Sequence, residues 1–408
     1  MANLQRTHRL RILGIVLFSF AFLMVGLKLL VTSAISFGAD FSIYWQAGRA
    51  IVLRGASPYA ESTTQLIQQG IYGRLARAGE DQVRYAYPPY SLLIIFPSAF
   101  LTYPWAQAYW MAVNLVLIFG AVLSQSKRLP VWWIGTLVFF YPISRGVILG
   151  QFALMLGACL IFLYALLNQK SPSPAALWGA GILMAWTAMK PHLAGLVLLF
   201  YLLDSIRQRR WAVLYGLAAG CLLFAGISWL LVPTWVTDWI HLIRDYVGYV
   251  PNQPIVGSWL ALLGIDFSII GVKVGLGILA LGGTVWAVLA WWRGKLPDFL
   301  ALGWLILEVQ LVNPNPNSLL SDQIVFLLPL LVWSMQSSVR NWMKGGWWVA
   351  FVIVPWALFA IYLQGKEPYQ AASGLALVFT LWFGASLLDH WVRQHRVRQN
   401  SLIEEAQV

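Results

Sequence analysis

Carboxylates are scarce in this chain, 15 among 408 residues, so the position of each is informative. Asp40 stands in the run Phe37-Gly38-Ala39-Asp40-Phe41-Ser42-Ile43-Tyr44-Trp45, directly after the first long apolar stretch. A carboxylate at the mouth of a membrane helix is partly desolvated, and such a charge is retained mainly where it has work to do. As chemistry it suits a general base. As local structure it suits the N-cap of the helix that follows. The two roles do not exclude one another.

A second group is Lys190-Pro191-His192, set in a stretch from Ala175 to Leu203 that is otherwise apolar. Proline frees a backbone carbonyl and bends a helix, which opens room for a polar ligand. Lys190, aided by His192, is then a cation for a phosphate; the plainer alternative is a lysine that snorkels to the headgroups. Gly150-Gln151, preceded by Arg145, reads either as a tight turn or as a place where Gln151 donates to a sugar hydroxyl or phosphate oxygen. In the run Asn313 to Gln323, proline and asparagine predict a non-helical loop. Asp322 is there a second candidate carboxylate, with helix capping by Ser321 or Asp322 as the structural alternative. Glu308 lies deeper in the preceding apolar run and suits pairing with a buried base, with no evident partner.

One reaction uses all of these groups. Moving a sugar from a lipid phosphate requires a base on one side of the anomeric carbon and a cation for the departing phosphate on the other. No nucleotide-cradling glycine loop and no metal-binding carboxylate cluster is apparent, so neither a cofactor nor a metal is expected. The two cysteines, Cys159 and Cys221, lie inside apolar runs and offer no disulfide framework.

The elements that must position these residues are membrane helices. Hydrophobic residues make up 60% and charged residues 10% of the chain, and mean hydropathy is +0.70, which excludes a soluble globular protein. The net charge of +12 sits in short clusters between spans, as topology signals do, and argues against nucleic-acid binding. Arg6, Arg9, Arg11, Lys127-Arg128, Lys170, Arg207-Arg209-Arg210, Arg293-Lys295, Arg340-Lys344 and Arg393-Arg396-Arg398 can all be placed on the cytoplasmic side. Spans are then expected at roughly 12–35, 105–124, 131–149, 151–167, 175–189, 193–203, 211–232, 268–292, 298–313, 320–337, 345–363 and 371–388. The segment from Pro88 to Leu101 is too short and proline-flanked to cross, and is expected to be re-entrant or interfacial. Tryptophan pairs such as Trp132-Trp133, Trp291-Trp292 and Trp347-Trp348 fit interfacial belts.

This gives an all-α polytopic membrane protein of about 10 to 13 helices. Residues 1–392 form one integral-membrane domain, and 393–408 a short cytoplasmic tail, polar and unstructured after Asp389. Both termini are expected in the cytoplasm. Residues 36–87 form a long first outer loop, with an amphipathic helix from Phe41 to Leu53 ended by Arg54-Gly55. The polar stretches gather on the outer side, which suits an enzyme working at one membrane face. A transporter or flippase of a lipid-linked glycan or other anionic lipid is the alternative. It would call for matching broken helices in two halves, and none stands out.

From about Gly38 to Val332 the chain resembles glycosyltransferase family 87, polyprenol-phosphate-mannose-dependent mannosyltransferases of the GT-C fold. The motifs are ordered: Asp40, Phe41, Ser42, Ile43 and Tyr44 with Gly55, Pro58 and Tyr59; Tyr87, Pro88 and Pro89 followed by Pro97; Ala108, Tyr109 and Trp110 with Asn114; Gly150-Gln151; and Lys190-Pro191. The resemblance implies a GT-C-type bundle and inverting transfer outside the cytoplasm, with Asp40 as base and no metal. It also implies a polyprenyl-phosphate sugar donor, with mannose the expected sugar. Lys190, His192, Arg145, Gln151, Tyr44, Tyr59, Tyr87, Asp322 and Gln323 are the residues expected to meet donor phosphate or sugar. The acceptor is a glycolipid, polysaccharide or protein hydroxyl. Many relatives carry a histidine after the late carboxylate, where this chain reads Ser321-Asp322-Gln323. Either His192 or Arg145 takes that place, or the donor differs.

Overall fold

The computed structural model describes residues 16–32, 38–125, 129, 131–135, 137–249, 254–312, 319–362 and 367–406. The basic residues Arg6, Arg9, Arg11 and Lys127-Arg128 and the loop Asn313 to Ser318 lie outside these. The protein is an all-α polytopic membrane protein. Among the described residues five helices are long and apolar enough to cross a bilayer alone: Tyr103–Leu123, Trp211–Leu231, Ile270–Trp292, Asn341–Ile361 and Ala371–Arg396. Val16–Thr32, Phe152–Leu167 and Gln323–Ser334 are apolar but shorter.

Most expected spans are helices near their expected bounds, but those at 131–149 and 320–337 are broken, the latter into Leu319–Asp322, a 3-10 turn Gln323–Phe326 and Leu327–Ser334, and the tail departs from its expectation. The span at 131–149 is broken into Val131–Gly135, a 3-10 turn Leu137–Phe139 and Tyr141–Leu149, the last opening with Pro142 where proline suits a helix start. The segment after Pro88 forms two 3-10 helices, Pro89–Ile94 and Phe96–Phe100. The tail is helical, not unstructured: Glu367–Ala406 is continuous. It is held past Asp389 by an Asp389–Arg393 ion pair one turn apart at 2.9 Å and by Arg393 donating to Ser338 O.

The chain forms two compact units whose segments alternate along the sequence. The first comprises 1–127, 143–191 and 210–251. Its centre is Phe41, Trp110 and Phe152, all fully buried; Phe41 stacks on Trp110 at 6.1 Å and Trp110 meets Phe152 edge-on at 5.4 Å. The helices Pro174–Thr187 and Trp211–Leu231 run backbone against backbone. A Cβ on Gly181 would fall 2.1 Å from Val213 O, and one on Gly216 2.3 Å from Trp178 O. Small residues allow this approach, the usual way helices associate inside a membrane. The segment between Gly55 and Pro88 is braced by Arg74, whose guanidinium makes two 2.8 Å bonds to Glu80. Those bonds hold the Glu80 carboxyl down at about 2. Arg84 reaches Glu61 and Asp245, and Trp239 donates to Ala86 O.

The second unit comprises 128–142, 192–209 and 252–408. Here several tryptophans expected at interfaces are buried instead. Trp133 stacks near Trp348 at 4.6 Å, and Trp291 lies under the Arg207 guanidinium at 4.0 Å. Packing has claimed one member of each pair, while Trp132 and Trp292 stay exposed. Glu308 accepts a hydrogen bond from Thr284, a hydroxyl partner rather than a base.

Candidate active site

Asp40 is the second residue of the helix Ala39–Arg54. The N-cap is Gly38, and no side chain caps the helix, so the capping alternative for Asp40 falls. The expected helix end is present: Gly55 is left-handed (φ 60°) and its N–H bonds Ile51 O and Ala50 O. Tyr103 donates to Gly38 O at 2.7 Å and fixes the entry to this helix.

The Asp40 carboxylate is met by Gln151, whose Nε2 donates to Oδ2 at 2.5 Å. The other end of the same amide accepts from the Tyr44 hydroxyl at 3.4 Å. Tyr44 is one turn along the Asp40 helix and stacks on Phe152 at 4.1 Å. Gln151 is placed by a tight turn. Gly150 has φ +75°, its carbonyl takes the Trp110 indole N–H at 2.7 Å, and a Cβ there would sit 2.5 Å from Phe41 Cβ. The turn therefore rests on the residue next to Asp40.

Asp40 keeps part of its surface open, yet the packed atoms around it push its carboxyl from the ordinary 3.8 up to about 6. Burial is the largest cause. The Gln151 hydrogen bond, Lys190 and Arg145 oppose it, and Asp81 adds to it. A carboxylate poised near neutrality has the character of a general base. Lys190 is buried at 1% exposure in the break between the helices Pro174–Thr187 and Pro191–Arg207, and its charge reaches Asp40. Arg145 has a buried Nε with no hydrogen-bond partner among the described residues.

The first unit thus brings together Asp40, Tyr44, Gln151, Arg145 and Lys190. Tyr87 joins through ring contacts, edge-on to Tyr44 at 5.6 Å and to Phe152 at 5.2 Å. The Tyr59 hydroxyl donates to Tyr87 O at 2.6 Å, and its ring lies 5.8 Å from that of Tyr85. In the second unit Asp322 is fully buried and ends the short helix Leu319–Asp322. It makes no side-chain cap for the turn Gln323–Phe326. His192 Nε2 lies 3.9 Å from its Oδ2. Gln323 is bound inward, donating to Ala372 O at 2.7 Å.

Sequence reasoning missed Asp81 as a charge acting on Asp40, and the roles of Phe41, Trp110 and Phe152 in seating the Gly150-Gln151 turn. Trp110 had a signal, as an aromatic within an ordered motif. Asp81 had none, since only folding brings its charge to bear on Asp40.

The profile of glycosyltransferase family 87 matches residues 85–314, more than half of the chain and narrower than the motif resemblance; Asp40 precedes it and Asp322 follows it. Over 324 residues the chain is 28% identical to the polyprenol-phosphate-mannose-dependent alpha-(1-2)-phosphatidylinositol pentamannoside mannosyltransferase of Mycolicibacterium smegmatis, covering 72% of this chain and 74% of that one. Over 414 aligned positions it is 25% identical to the polyprenol-phosphate-mannose-dependent alpha-(1-2)-phosphatidylinositol mannoside mannosyltransferase of the same organism, covering 93% of this chain and 82% of that one. No solved structure matches. Extending as it does across Arg145, Gln151 and Lys190, the family match makes the chain a member of glycosyltransferase family 87 and a membrane glycosyltransferase.

Proposed function

We propose that the protein transfers a mannosyl group from a polyprenyl-phosphate carrier to a hydroxyl of a membrane glycolipid, outside the cytoplasm and with inversion. The carrying observation is the Asp40 carboxylate, raised to about 6 and held by Gln151 within reach of the charges of Lys190 and Arg145. The names of both relatives support the donor and a glycolipid acceptor. The basic clusters, all assignable to the cytoplasmic side, support an outer position for the Asp40 segment.

In this reading Asp40 takes the proton of the acceptor hydroxyl as its oxygen bonds to the anomeric carbon. The bond from that carbon to the phosphate oxygen breaks on the opposite face, and polyprenyl phosphate leaves with the electron pair. A single displacement inverts the carbon. Lys190 and Arg145 neutralise the leaving phosphate, so no cofactor is assigned. The tyrosine rings of 44, 59 and 87 line the sugar's path.

The test is transfer by purified protein from polyprenyl-phosphate-mannose to glycolipid, wild type against Asp40→Asn. Wild type should make product with the anomeric configuration opposite to the donor's, and the variant should lose about 10²–10⁴-fold in rate, the usual contribution of a general base. Full turnover by Asp40→Asn removes the base assignment; retained configuration removes the single displacement.

A further inference from the structure

Gln151 was expected from sequence to touch sugar or phosphate, but both ends of its amide are already engaged. Its N–H meets Asp40 Oδ2 and its carbonyl meets the Tyr44 hydroxyl. We propose that Gln151 is the positioning residue of the base: with Tyr44 fixing which way its amide points, it holds Oδ2 of Asp40 and leaves Oδ1 to receive the acceptor's proton. The inference rests on the reading of Asp40 as base.

Three features carry it. First, the amide has one allowed sense. Turned over, it would place its oxygen against a carboxylate oxygen and its N–H against the Tyr44 oxygen, and the Tyr44 hydroxyl stabilises the observed sense by donating to the carbonyl. Second, Gln151 cannot drift. It is 6% exposed, follows a left-handed glycine whose carbonyl is pinned by Trp110, and opens the helix Phe152–Leu167 without using its side chain as a cap. Third, a bond from a neutral amide to a carboxylate is charge-assisted and stabilises the ionised form. Gln151 therefore keeps the base both aimed and basic within a packed surround that works against its charge. The other groups acting on Asp40 are the cations Lys190 and Arg145 and the anion Asp81.

The experiment compares pH profiles of kcat and kcat/KM for wild type, Gln151→Leu, Tyr44→Phe and Asp40→Asn in proteoliposomes, with polyprenyl-phosphate-mannose and glycolipid varied separately. Gln151→Leu should lower kcat about 100-fold, the scale of loss when a reacting group is misplaced by an ångström. Its acid limb should move up by about one pH unit, because a bond favouring the carboxylate has gone, while donor KM stays near wild type. Tyr44→Phe removes one hydroxyl and keeps the ring stack, so it folds even if Gln151→Leu does not. It should shift the limb the same way by less. An unchanged limb in both variants overturns the inference, as does a loss confined to donor KM, which would make Gln151 a donor ligand. If Asp40→Asn is inactive while Gln151→Leu behaves as wild type, only the positioning role fails. If Asp40→Asn is active, the base assignment fails and this role with it.

Discussion

Replacing Asp40 by asparagine should make the protein more stable while it loses activity. The fold raises this carboxyl from 3.8 to about 6, so the folded state binds the proton more tightly than the unfolded chain does. Below the unfolded value nothing is lost. As pH rises through the window between the two values the carboxylate form is increasingly disfavoured in the fold, and above about 6 the deficit is complete. A rise of about two pH units corresponds to about 3 kcal/mol, and water reaching the open part of Asp40 screens this to about 1–2 kcal/mol. Asparagine matches the shape, and its side-chain oxygen accepts the same N–H from Gln151. Thermal unfolding in detergent, without donor, should place Asp40→Asn a few degrees above wild type at pH 7.5, with roughly half that free-energy gap at pH 5. A gap that is independent of pH, or that widens towards acid, would refute the claim that burial raises this carboxyl.

Two further variants test the surrounding frame. Lys190→Met should raise donor KM more than about tenfold, the weight of one charge-assisted contact to phosphate, with acceptor KM little changed; equal losses for both substrates would argue against a phosphate role. Gly181→Val should destabilise the fold by more than about 3 kcal/mol, since backbone cannot retreat as a side chain can, whereas Gly226→Val, with open space around its Cβ position, should unfold like wild type. Similar unfolding of the two variants would sink the reading of a closed backbone seam.

Local signals were legible and long-range ones were not. The helix Ala39–Arg54 and its glycine stop were readable because helix period and left-handed cap are written in adjacent residues. The break at Lys190-Pro191 was readable for the same reason. Gln151 was picked out as polar in an apolar setting, but its partner lies 111 residues away, and no spacing rule reports such a pairing. The same holds for His192 and Asp322. Trp133, Trp291 and Trp348 were assigned to interfaces on residue type, yet type does not tell an indole in a headgroup belt from one packed against another helix. A polar tail reads as unstructured. A polar helix stands when its charges pair one turn apart, as Asp389 and Arg393 do.

The glycine seam between Pro174–Thr187 and Trp211–Leu231 also sets an order of events in time. Its two helices are not consecutive: the whole of Pro191–Arg207 is synthesised between them. The seam therefore cannot close when its first helix enters the membrane. That helix must wait, glycine face uncovered, until more than a full helix of further chain has emerged. Only when Gly216 arrives opposite Trp178 is the first unit's own backbone sealed, and Pro191–Arg207 is by then tethered at both ends. Biogenesis of this enzyme thus contains an obligatory half-finished state, and a bulky residue at Gly181 or Gly216 would trap the chain there, before any of the chemistry at Asp40 is at issue.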